Sequence, residues 1–289
     1  MLRSILFWFI RFLPASLRHK IYLRLKKYSV KWYGRTTFFA QRLPFGLYIK
    51  HGHNVSQEVL AIQHVSKHTS IPVPQVLDVV ENCFIMTRME GDVLGDLFSE
   101  MSSDEVSQVR RELGKVIQQL HSIPGNRTGV VSGPLPELPC EDVNRIDESE
   151  FGPFADTTAF HKFLLERIPP RVPLRETYAL AHIGRPPEPT VFTHGDLHLR
   201  NILVQRHPSV VSSGAGTTVR VSGIIDWTCA GWYPSYWEHG KATYVHRTFK
   251  QWTDMWMGIA EDVIVKNEEE KQKYMDELAL EKKIWQYID

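Results

Sequence analysis

One short stretch between two apolar runs concentrates polar groups that could do chemistry. The stretch reads VFTHGDLHLRNILV, and its turn holds His194, Asp196, His198, Arg200 and Asn201. Further along the chain, Asp226 ends a second apolar run, GIIDW. Carboxylate and amide oxygens are the ligands that Mg²⁺ prefers, so we predict that Asn201 and Asp226 hold this metal. Asp196 would then accept the proton of a hydroxyl group or orient that group for attack.

This small set of residues suffices for phosphoryl transfer, which depends mainly on positioning and charge neutralisation. His198 offers an alternative, because H-x-D-x-H spacing is also typical of a metal site. We interpret His198 as a loop residue instead. A metal-dependent phosphoesterase would need a second cluster of His and Asp ligands, and the sequence contains none.

The two motifs HGDLHLRNILV and GIIDW resemble those of the aminoglycoside phosphotransferase family, a branch of the protein-kinase-like fold. They resemble the choline-kinase-like enzymes more loosely. The segments IPVP and GWYPSYWE make the chain most similar to fungal members of the family. The resemblance runs from about Val30 to Val265. It implies that Asp196 is the catalytic base, that Asn201 and Asp226 bind Mg²⁺, and that His194 supports the catalytic loop. It also implies ATP as co-substrate and a small hydroxylated molecule as acceptor.

The charge pattern of the first 77 residues supports a nucleotide site independently. Lys50 ends the apolar strand FGLYIK, and Glu58 follows eight residues later on the next predicted helix. Glu58 is the only carboxylate in those 77 residues, so it is the one partner there for a lysine that contacts phosphates. The resemblance assigns the same roles to Lys50 and Glu58. We also place Met86 and Arg88 at the nucleotide site.

The elements that must position these groups can be predicted from hydrophobic periodicity. Apolar residues spaced for one helix face predict a helix over Val55–His68, which the prolines of IPVP end. VLDVV and CFIMTR predict a hairpin. Ser102 and Glu105 form a capping-box pattern that opens a helix to about His121. Further predictions are a helix over Phe160–Ile168, a strand pair over Val219–Trp227 and mostly helix past Pro234. The segment RHPSVVSSGAGTT is predicted to enlarge a hairpin.

These elements, with the resemblance, predict an α+β, protein-kinase-like fold of two lobes. Residues 30–88 would form a small antiparallel-sheet lobe, and residues 89–289 a larger, mainly helical lobe with the catalytic loop and the acceptor site. Residues 1–29 would form a basic and apolar helical segment. The segment YGRTTFFAQRLPFG lacks the G-x-G-x-x-G spacing with which protein kinases cover the phosphates. The phosphate-covering loop is therefore unassigned, and a pseudoenzyme that binds nucleotide or a partner without turnover is the alternative function.

Composition excludes several other classes. The net charge of +1 argues against nucleic-acid binding. Three widely spaced cysteines form no disulfide framework, which indicates a reducing, cytoplasmic location. The apolar run ILFWFI is far shorter than the roughly 20 residues of a spanning helix. The basic helix after it either packs on the protein body or lies on an anionic membrane surface. The sequence does not predict an oligomeric state.

The resemblance implies that the helical part after Pro234 forms one wall of the acceptor site, so the acceptor is predicted from the composition of the stretch Thr228–Ala260. That stretch has only two acids, Glu238 and Asp254, and is rich in Trp and Tyr. Five tryptophans lie in or next to this stretch: Trp227, Trp232, Trp237, Trp252 and Trp256. We expect most of them to be buried in the core and one or two to face the acceptor. Such a wall favours a flat or apolar metabolite, or one cationic group over a ring, rather than a polycation.

Overall fold

The computed structural model describes residues 10–52, 54–125, 129–142, 145–146, 148–183, 186–211, 214–265 and 267–285. These residues form a small lobe built on an antiparallel sheet and a larger, mainly helical lobe, so the predicted α+β fold class is confirmed. Most of the apolar run ILFWFI lies outside the described residues. Among the described residues, every helix is too short or too polar to span a lipid bilayer.

A four-stranded antiparallel sheet forms the centre of the small lobe, in the order β1-β2-β4-β3. Its strands are Ala40–Leu43 (β1), Leu47–His51 (β2), Val76–Val80 (β3) and Cys83–Thr87 (β4). The predicted FGLYIK strand and the predicted hairpin are therefore confirmed. Side chains alternate along β2, with Leu47 and Ile49 buried on one face and Tyr48 and Lys50 on the other.

Each face of this sheet is covered by one helix. Helix α1 (Ala15–Tyr33) packs through Tyr22 against the face that carries Ile49. Helix α2 (Val55–His68) packs on the opposite face, which carries Phe84 and hence its strand neighbour Lys50. Helix α1 crosses the boundary predicted at residue 29 and belongs to the small lobe through this packing. Lys50 therefore projects to the side of the sheet where α2 lies.

The chain enters the larger lobe through Asp92–Val93 (β5), Leu94–Leu97 (α3) and a 3₁₀ turn, Phe98–Glu100. Helix α4 (Ser103–His121) follows. The Ser102 side chain accepts a hydrogen bond from the Glu105 N–H, and the Glu105 carboxylate accepts one from the Ser102 N–H. This reciprocal pair confirms the predicted capping box, which satisfies donors that the first helical turn would leave unpaired.

The rest of the larger lobe is mainly helical, as predicted. Its helices are Thr157–Arg167 (α5), Leu174–Tyr178 (α6), Trp237–Tyr244 (α7), Lys250–Ile259 (α8) and Glu268–Trp285 (α9), with π-helical turns at Ala179–Ile183 and Ala260–Ile264. Its strands are Cys140–Asp142 (β6), Glu148–Phe151 (β7), Val191–Thr193 (β8), Ile202–Val211 (β9), Gly214–Ile224 (β10) and Gly231–Tyr233 (β11).

A long hairpin of β9 and β10 holds the two motifs together. The strands pair from Ile202 with Ile224 outward, and their far ends contain the predicted RHPSVVSSGAGTT enlargement, of which residues 212 and 213 lie outside the described range. At the near end, the Ile225 N–H donates to the Asn201 carbonyl at 3.0 Å. This register brings the loop before β9 beside the residues that follow β10.

Candidate active site

Lys50 lies at the centre of a polar cluster between the two lobes. Its ammonium is 2.7 Å from the Glu58 carboxylate and 2.6 Å from the Asp226 carboxylate. It also donates to the Thr228 hydroxyl at 3.0 Å. Glu58 is buried on α2, so the short turn between β2 and α2 fixes this part of the cluster. The predicted pairing of Lys50 with Glu58 is confirmed, and the structure adds Asp226 and Thr228 to it.

Asp226 adopts an unusual backbone conformation for this cluster. Its φ is +66°, in the left-handed region that residues other than glycine seldom enter. The Thr228 hydroxyl donates to its carboxylate at 2.9 Å. Burial acts to raise the pKa of Asp226, but the Lys50 ammonium and these hydrogen bonds outweigh it and hold the pKa below its usual value. Asp226 is therefore ionised at neutral pH, and its side chain is 46% exposed.

The residues of the loop before β9 gather around Asp196. The Asn201 side-chain amide donates to the Asp196 carbonyl at 2.9 Å and to its carboxylate at 3.0 Å. His198 Nδ1 accepts from the Arg200 N–H, so His198 Nε2 carries the proton and lies 3.4 Å from the Asp196 carboxylate. His198 thus belongs to the loop around Asp196, and the described residues form no group of three or more His, Cys, Asp and Glu side chains that could hold a metal.

His194 connects the loop of Asp196 to the strand end that precedes Asp226. Its Nδ1 accepts from the Asp196 N–H at 3.2 Å, and its Nε2 donates to the Ile225 carbonyl at 3.0 Å. Burial lowers the pKa of His194 to about 4, so the ring is neutral at physiological pH. A neutral ring has one donor and one acceptor, which is what these two bonds require. His194 therefore bridges, by hydrogen bonds, the loop of Asp196 and the strand end that precedes Asp226.

Glu238 lies beneath the loop of Asp196, although the sequence pointed to it only as an acid of the predicted acceptor wall. Its carboxylate accepts the backbone N–H groups of His194 at 2.5 Å, Gly195 at 3.1 Å and Leu197 at 3.4 Å. It is buried, and burial raises its pKa to about 7 against the lowering effect of these three bonds. Its neighbours Trp237 and His239 are buried as well, and an acid within such an apolar, aromatic segment is the signal that could have identified it.

Gly195 allows the loop of Asp196 to lie close to the chain that follows Asp226. Its φ is +74°, and a Cβ atom there would lie 2.3 Å from the Cys229 carbonyl oxygen. Any larger residue would push the HGD segment away from the following loop. The glycine of the motif therefore permits both the turn and the close packing.

Two other predicted nucleotide residues fall in different positions. Met86 lies opposite Tyr48 in the sheet, two residues along from the Lys50 pairing, on the face that Lys50 shares. Arg88 follows the end of β4, where its N–H donates to the Gly46 carbonyl, and its side chain is exposed. Among the described residues, Met86 borders the Lys50 cluster, whereas Arg88 does not join its hydrogen bonds.

The segment between α1 and β1 lies at the Lys50 end of the sheet. Ala40, the first residue of β1, pairs with Lys50, so residues 34–39 lead directly to that position. The buried Gln41 side chain organises this loop: it donates to the Gly34 carbonyl at 2.9 Å and accepts from the Thr36 N–H at 3.3 Å. We call residues 34–39 the α1–β1 loop. The sequence left the phosphate-covering segment unassigned, and this loop is the nearest candidate.

The aromatic wall predicted for the acceptor is not formed by the tryptophans. All five are at most 4% exposed: Trp227, Trp232, Trp237, Trp252 and Trp256. The expectation that most are core is confirmed, but the expectation that one or two face the acceptor is wrong. Large apolar rings gain more free energy from burial in a hydrophobic core than from exposure in a solvated cleft.

The model of the phosphotransferase enzyme family, abbreviated APH, matches residues 27–258. No curated protein sequence matches the chain.

Three solved structures share the fold at low sequence identity. A thermostable mutant of aminoglycoside phosphotransferase APH(4)-Ia is 15% identical, with 91% of this chain and 92% of that chain covered and a TM-score of 0.52. A choline/ethanolamine kinase family protein from Mesorhizobium loti is 16% identical, with 89% and 77% covered and a TM-score of 0.50. The GDP and kanamycin complex of APH(2")-IIia is 13% identical, with 86% and 80% covered and a TM-score of 0.51. The predicted kinase-like fold is confirmed.

Proposed function

Because the chain belongs to the phosphotransferase enzyme family, we propose that it transfers the γ-phosphoryl group of ATP to a hydroxyl group of a small molecule. One observation carries the proposal: the Lys50 ammonium joins Glu58 of the small lobe to Asp226 of the larger lobe. A cation held between two carboxylates where the two lobes meet is positioned to bind phosphate oxygens. The family supports a small-molecule phosphotransferase, and the nucleotide, the metal and the acceptor group are our inference.

Lys50 binds the nucleotide phosphates in this proposal. Glu58 and Asp226 raise the pKa of Lys50 despite the opposing effect of burial, so the ammonium keeps its charge in the cleft. Its contact with Glu58 fixes its direction, which reduces the entropy lost when it contacts phosphate. Lys50 thus supplies a preorganised positive charge where the negative charge of ATP must lie.

Asn201 and Asp226 would hold Mg²⁺. Their donor set fits this ion, since Asp226 is an ionised, half-exposed carboxylate and the Asn201 amide nitrogen is already used by Asp196. That hydrogen bond leaves the amide oxygen of Asn201 as the atom for a cation. When bound, Mg²⁺ neutralises phosphate charge and orients the γ-phosphoryl group.

Asp196 acts on the acceptor. The acceptor hydroxyl oxygen forms a bond to the γ-phosphorus while the bond from that phosphorus to the bridging oxygen of ADP breaks. The hydroxyl proton passes to the Asp196 carboxylate, and ADP leaves with the electron pair. Asn201 and His198 hold that carboxylate in place, and His194 and Glu238 fix the backbone that carries it.

The surroundings of Asp196 indicate an acceptor that is not a polycation. Next to His198 is His246, whose ring lies 5.9 Å away. Burial lowers the pKa of His246, and the nearby His198 and Arg200 lower it further, so this ring is neutral at physiological pH and Arg200 supplies the positive charge on this side. A polycation would meet the Arg200 guanidinium and a neutral imidazole rather than a set of carboxylates, which disfavours its binding. We infer a neutral or anionic hydroxyl compound.

The proposal is tested by incubating the purified protein with γ-labelled nucleotide, Mg²⁺ and a pool of hydroxylated metabolites, and following the label into products. ATP and GTP are compared, because the APH(2")-IIia neighbour was solved with GDP and kanamycin. Less charged alcohols are compared with kanamycin. We expect acceptor-dependent transfer that Asp196→Asn abolishes.

Each of the other possible outcomes would support a different function for this protein. Nucleotide binding without transfer to any acceptor in the pool would support the pseudoenzyme. Hydrolysis of phosphate esters without nucleotide would support a phosphoesterase. Efficient transfer to kanamycin with none to less charged alcohols would contradict the inferred acceptor but not phosphoryl transfer itself.

A further inference from the structure

The outward side of helix α1 carries a row of cations. The side that faces the sheet holds the least exposed residues, which recur at helical spacing: Arg18, Tyr22, Lys26 and Ser29. The opposite side holds four exposed cations, at intervals of four, three and four residues: Lys20, Arg24, Lys27 and Lys31. Residues three and four apart share one side of a helix, so these four form a continuous stripe.

Exposed apolar side chains flank the stripe. Leu17 and Tyr28 lie along one side of it, 44% and 54% exposed, and Leu23 lies on the other, 46% exposed. The feature is local, since twelve of the fifteen large hydrophobic side chains exposed in the described part of the chain fall within residues 12–45. We call the four cations and these three apolar side chains the outer face of α1.

Residues on the inward side of α1 pair with the carboxylates of strand β3 and of the turn that follows it. Arg18 pairs with Asp78, and the Tyr22 hydroxyl donates to the same carboxylate at 2.6 Å. His19 contacts Glu81. Among the described residues no carboxylate pairs with a cation of the stripe, and the first 57 residues contain no acid at all. The charge of the outer face is therefore uncompensated.

We propose that the outer face of α1 docks on an anionic lipid bilayer. Its cations would lie at the headgroups while Leu17, Leu23 and Tyr28 enter the boundary with the acyl chains. The exposed apolar groups argue against nucleic acid, whose backbone offers them no partner. A second copy of the chain is disfavoured, because a two-fold contact would place the two cationic stripes against each other.

Docking by this face leaves the candidate active site open. Helix α1 covers the sheet face that carries Ile49, and Lys50, the next residue, points to the opposite face. The bilayer would therefore contact the back of the small lobe. This inference does not depend on the proposed phosphotransferase activity.

The test is sedimentation of the full chain with vesicles at low and high salt. One set of vesicles is phosphatidylcholine alone, and the other is an equal mixture of phosphatidylcholine and phosphatidylserine. We expect binding to the anionic vesicles that weakens with salt. Each cation near such a surface strengthens binding roughly fivefold, so reversing four should weaken it more than about 100-fold. The reversed residues are Lys20, Arg24, Lys27 and Lys31, each changed to Glu.

Two further variants make the result specific. A control reverses four exposed cations of the larger lobe, and should bind nearly as wild type: the control residues are Lys162, Arg171, Arg220 and Lys283. Leu17→Ser with Tyr28→Ser should weaken binding without changing the charge. All variants should keep the wild-type unfolding temperature, because none removes a described hydrogen bond or ion pair with the body of the protein. The proposal is overturned if the wild-type protein does not bind anionic vesicles at low salt, or if the stripe and control variants bind them equally. It is also overturned if the four stripe cations instead hold two copies of the chain together.

Discussion

The Lys50 ammonium lies 2.6 Å from a carboxylate oxygen of Asp226, although 176 positions separate the two residues. The contact ties strand β2 of the small lobe to the chain that leaves β10 in the larger lobe. Glu58, on the other side of the ammonium, is only 3% exposed. The negative charge of the buried Glu58 carboxylate is therefore compensated by Lys50, and the same lysine is the proposed phosphate ligand.

Replacing Lys50 should separate these two roles. Lys50→Met should raise the KM for ATP about tenfold or more, since hydrogen bonds to charged groups contribute about 1.5–3 kcal/mol each. It should also lower the free energy of unfolding by about 3 kcal/mol, because Glu58 is left buried and unpaired. Steady-state kinetics and urea unfolding measure the two effects.

A double variant serves as the control for stability. Lys50→Met with Glu58→Leu removes the whole ion pair, which is often neutral for stability when apolar groups replace it. We expect it to recover the free energy of unfolding lost by Lys50→Met while the KM for ATP stays high. Recovery of both quantities would show that Lys50 affects the nucleotide only through folding.

Asp196→Asn should abolish turnover and leave nucleotide binding intact. The amide keeps the shape of the side chain but cannot take the hydroxyl proton, so we expect kcat to fall at least about 100-fold. The KM for ATP should change little, as Asp196 contacts the acceptor in our mechanism. Asp254→Asn is the matched control, because Asp254 is exposed and pairs only with Lys250 among the described residues. A turnover near wild type in Asp196→Asn would remove Asp196 from the mechanism.

Asp226→Asn should weaken the metal site. The amide can still accept from Lys50 and Thr228, so the change removes one negative charge with little effect on shape. Loss of groups that merely support metal ligands weakens binding about 10–100-fold, and loss of a ligand's charge should weaken it at least as much. Calorimetric titration with ADP at several Mg²⁺ concentrations measures this without turnover. Asp262→Asn, at an exposed ion pair with Arg110, is the control. Equal Mg²⁺ dependence in both variants would place the metal elsewhere.

Glu238 makes the stability of the larger lobe depend on pH. Its pKa is about 7 in the folded protein and 4.5 without burial, so between these values the folded state binds a proton that the unfolded state has lost. Stability therefore falls as pH rises from about 4.5 to 7, by up to about 3 kcal/mol from this group. Above pH 7 both states are ionised, and the slope due to Glu238 disappears.

Glu238→Gln removes this titration. Urea unfolding at pH 5 and pH 8 should show wild type losing about 3 kcal/mol relative to the variant over that range. The single amide oxygen can accept from His194 and Gly195 but leaves the Leu197 N–H facing an NH₂ group, so kcat should fall while the KM for ATP is kept. Parallel stability curves for the two proteins would contradict the assignment of Glu238.

The part of the site that could be predicted from the sequence is the part with local or fixed spacing. Asp196 and Asn201 share one turn, and Lys50 and Glu58 share one strand-turn-helix unit, so spacing alone relates their side chains. Glu238 and Thr228 could not be found this way. Glu238 reaches the loop of Asp196 only because helix α7 packs beneath it, more than 40 positions along the chain.

The fold shows the same division between local and tertiary information. The capping box at Ser102 and the β3–β4 hairpin follow from neighbouring residues and were predicted. Whether a tryptophan is buried or faces a site depends on which surfaces of the helices and strands pack together, and composition alone does not show this. Helix α1 illustrates both: its basic character is plain in sequence, but only the packing of Tyr22 shows which side faces outward.

The last prediction concerns the α1–β1 loop, which we expect to cover the nucleotide phosphates. Its residues 34–39 lead to Ala40, the sheet partner of Lys50, and Gln41 holds the loop through Gly34 and Thr36. Gln41→Ala should free the loop and raise the KM for ATP about fivefold, the effect of about 1 kcal/mol of lost hydrogen bonding. The KM for the acceptor should not change, because the acceptor lies at Asp196. Gln63→Ala, an exposed position on α2, is the control. If Gln41→Ala raises the acceptor KM and not that for ATP, the loop belongs to the acceptor site instead.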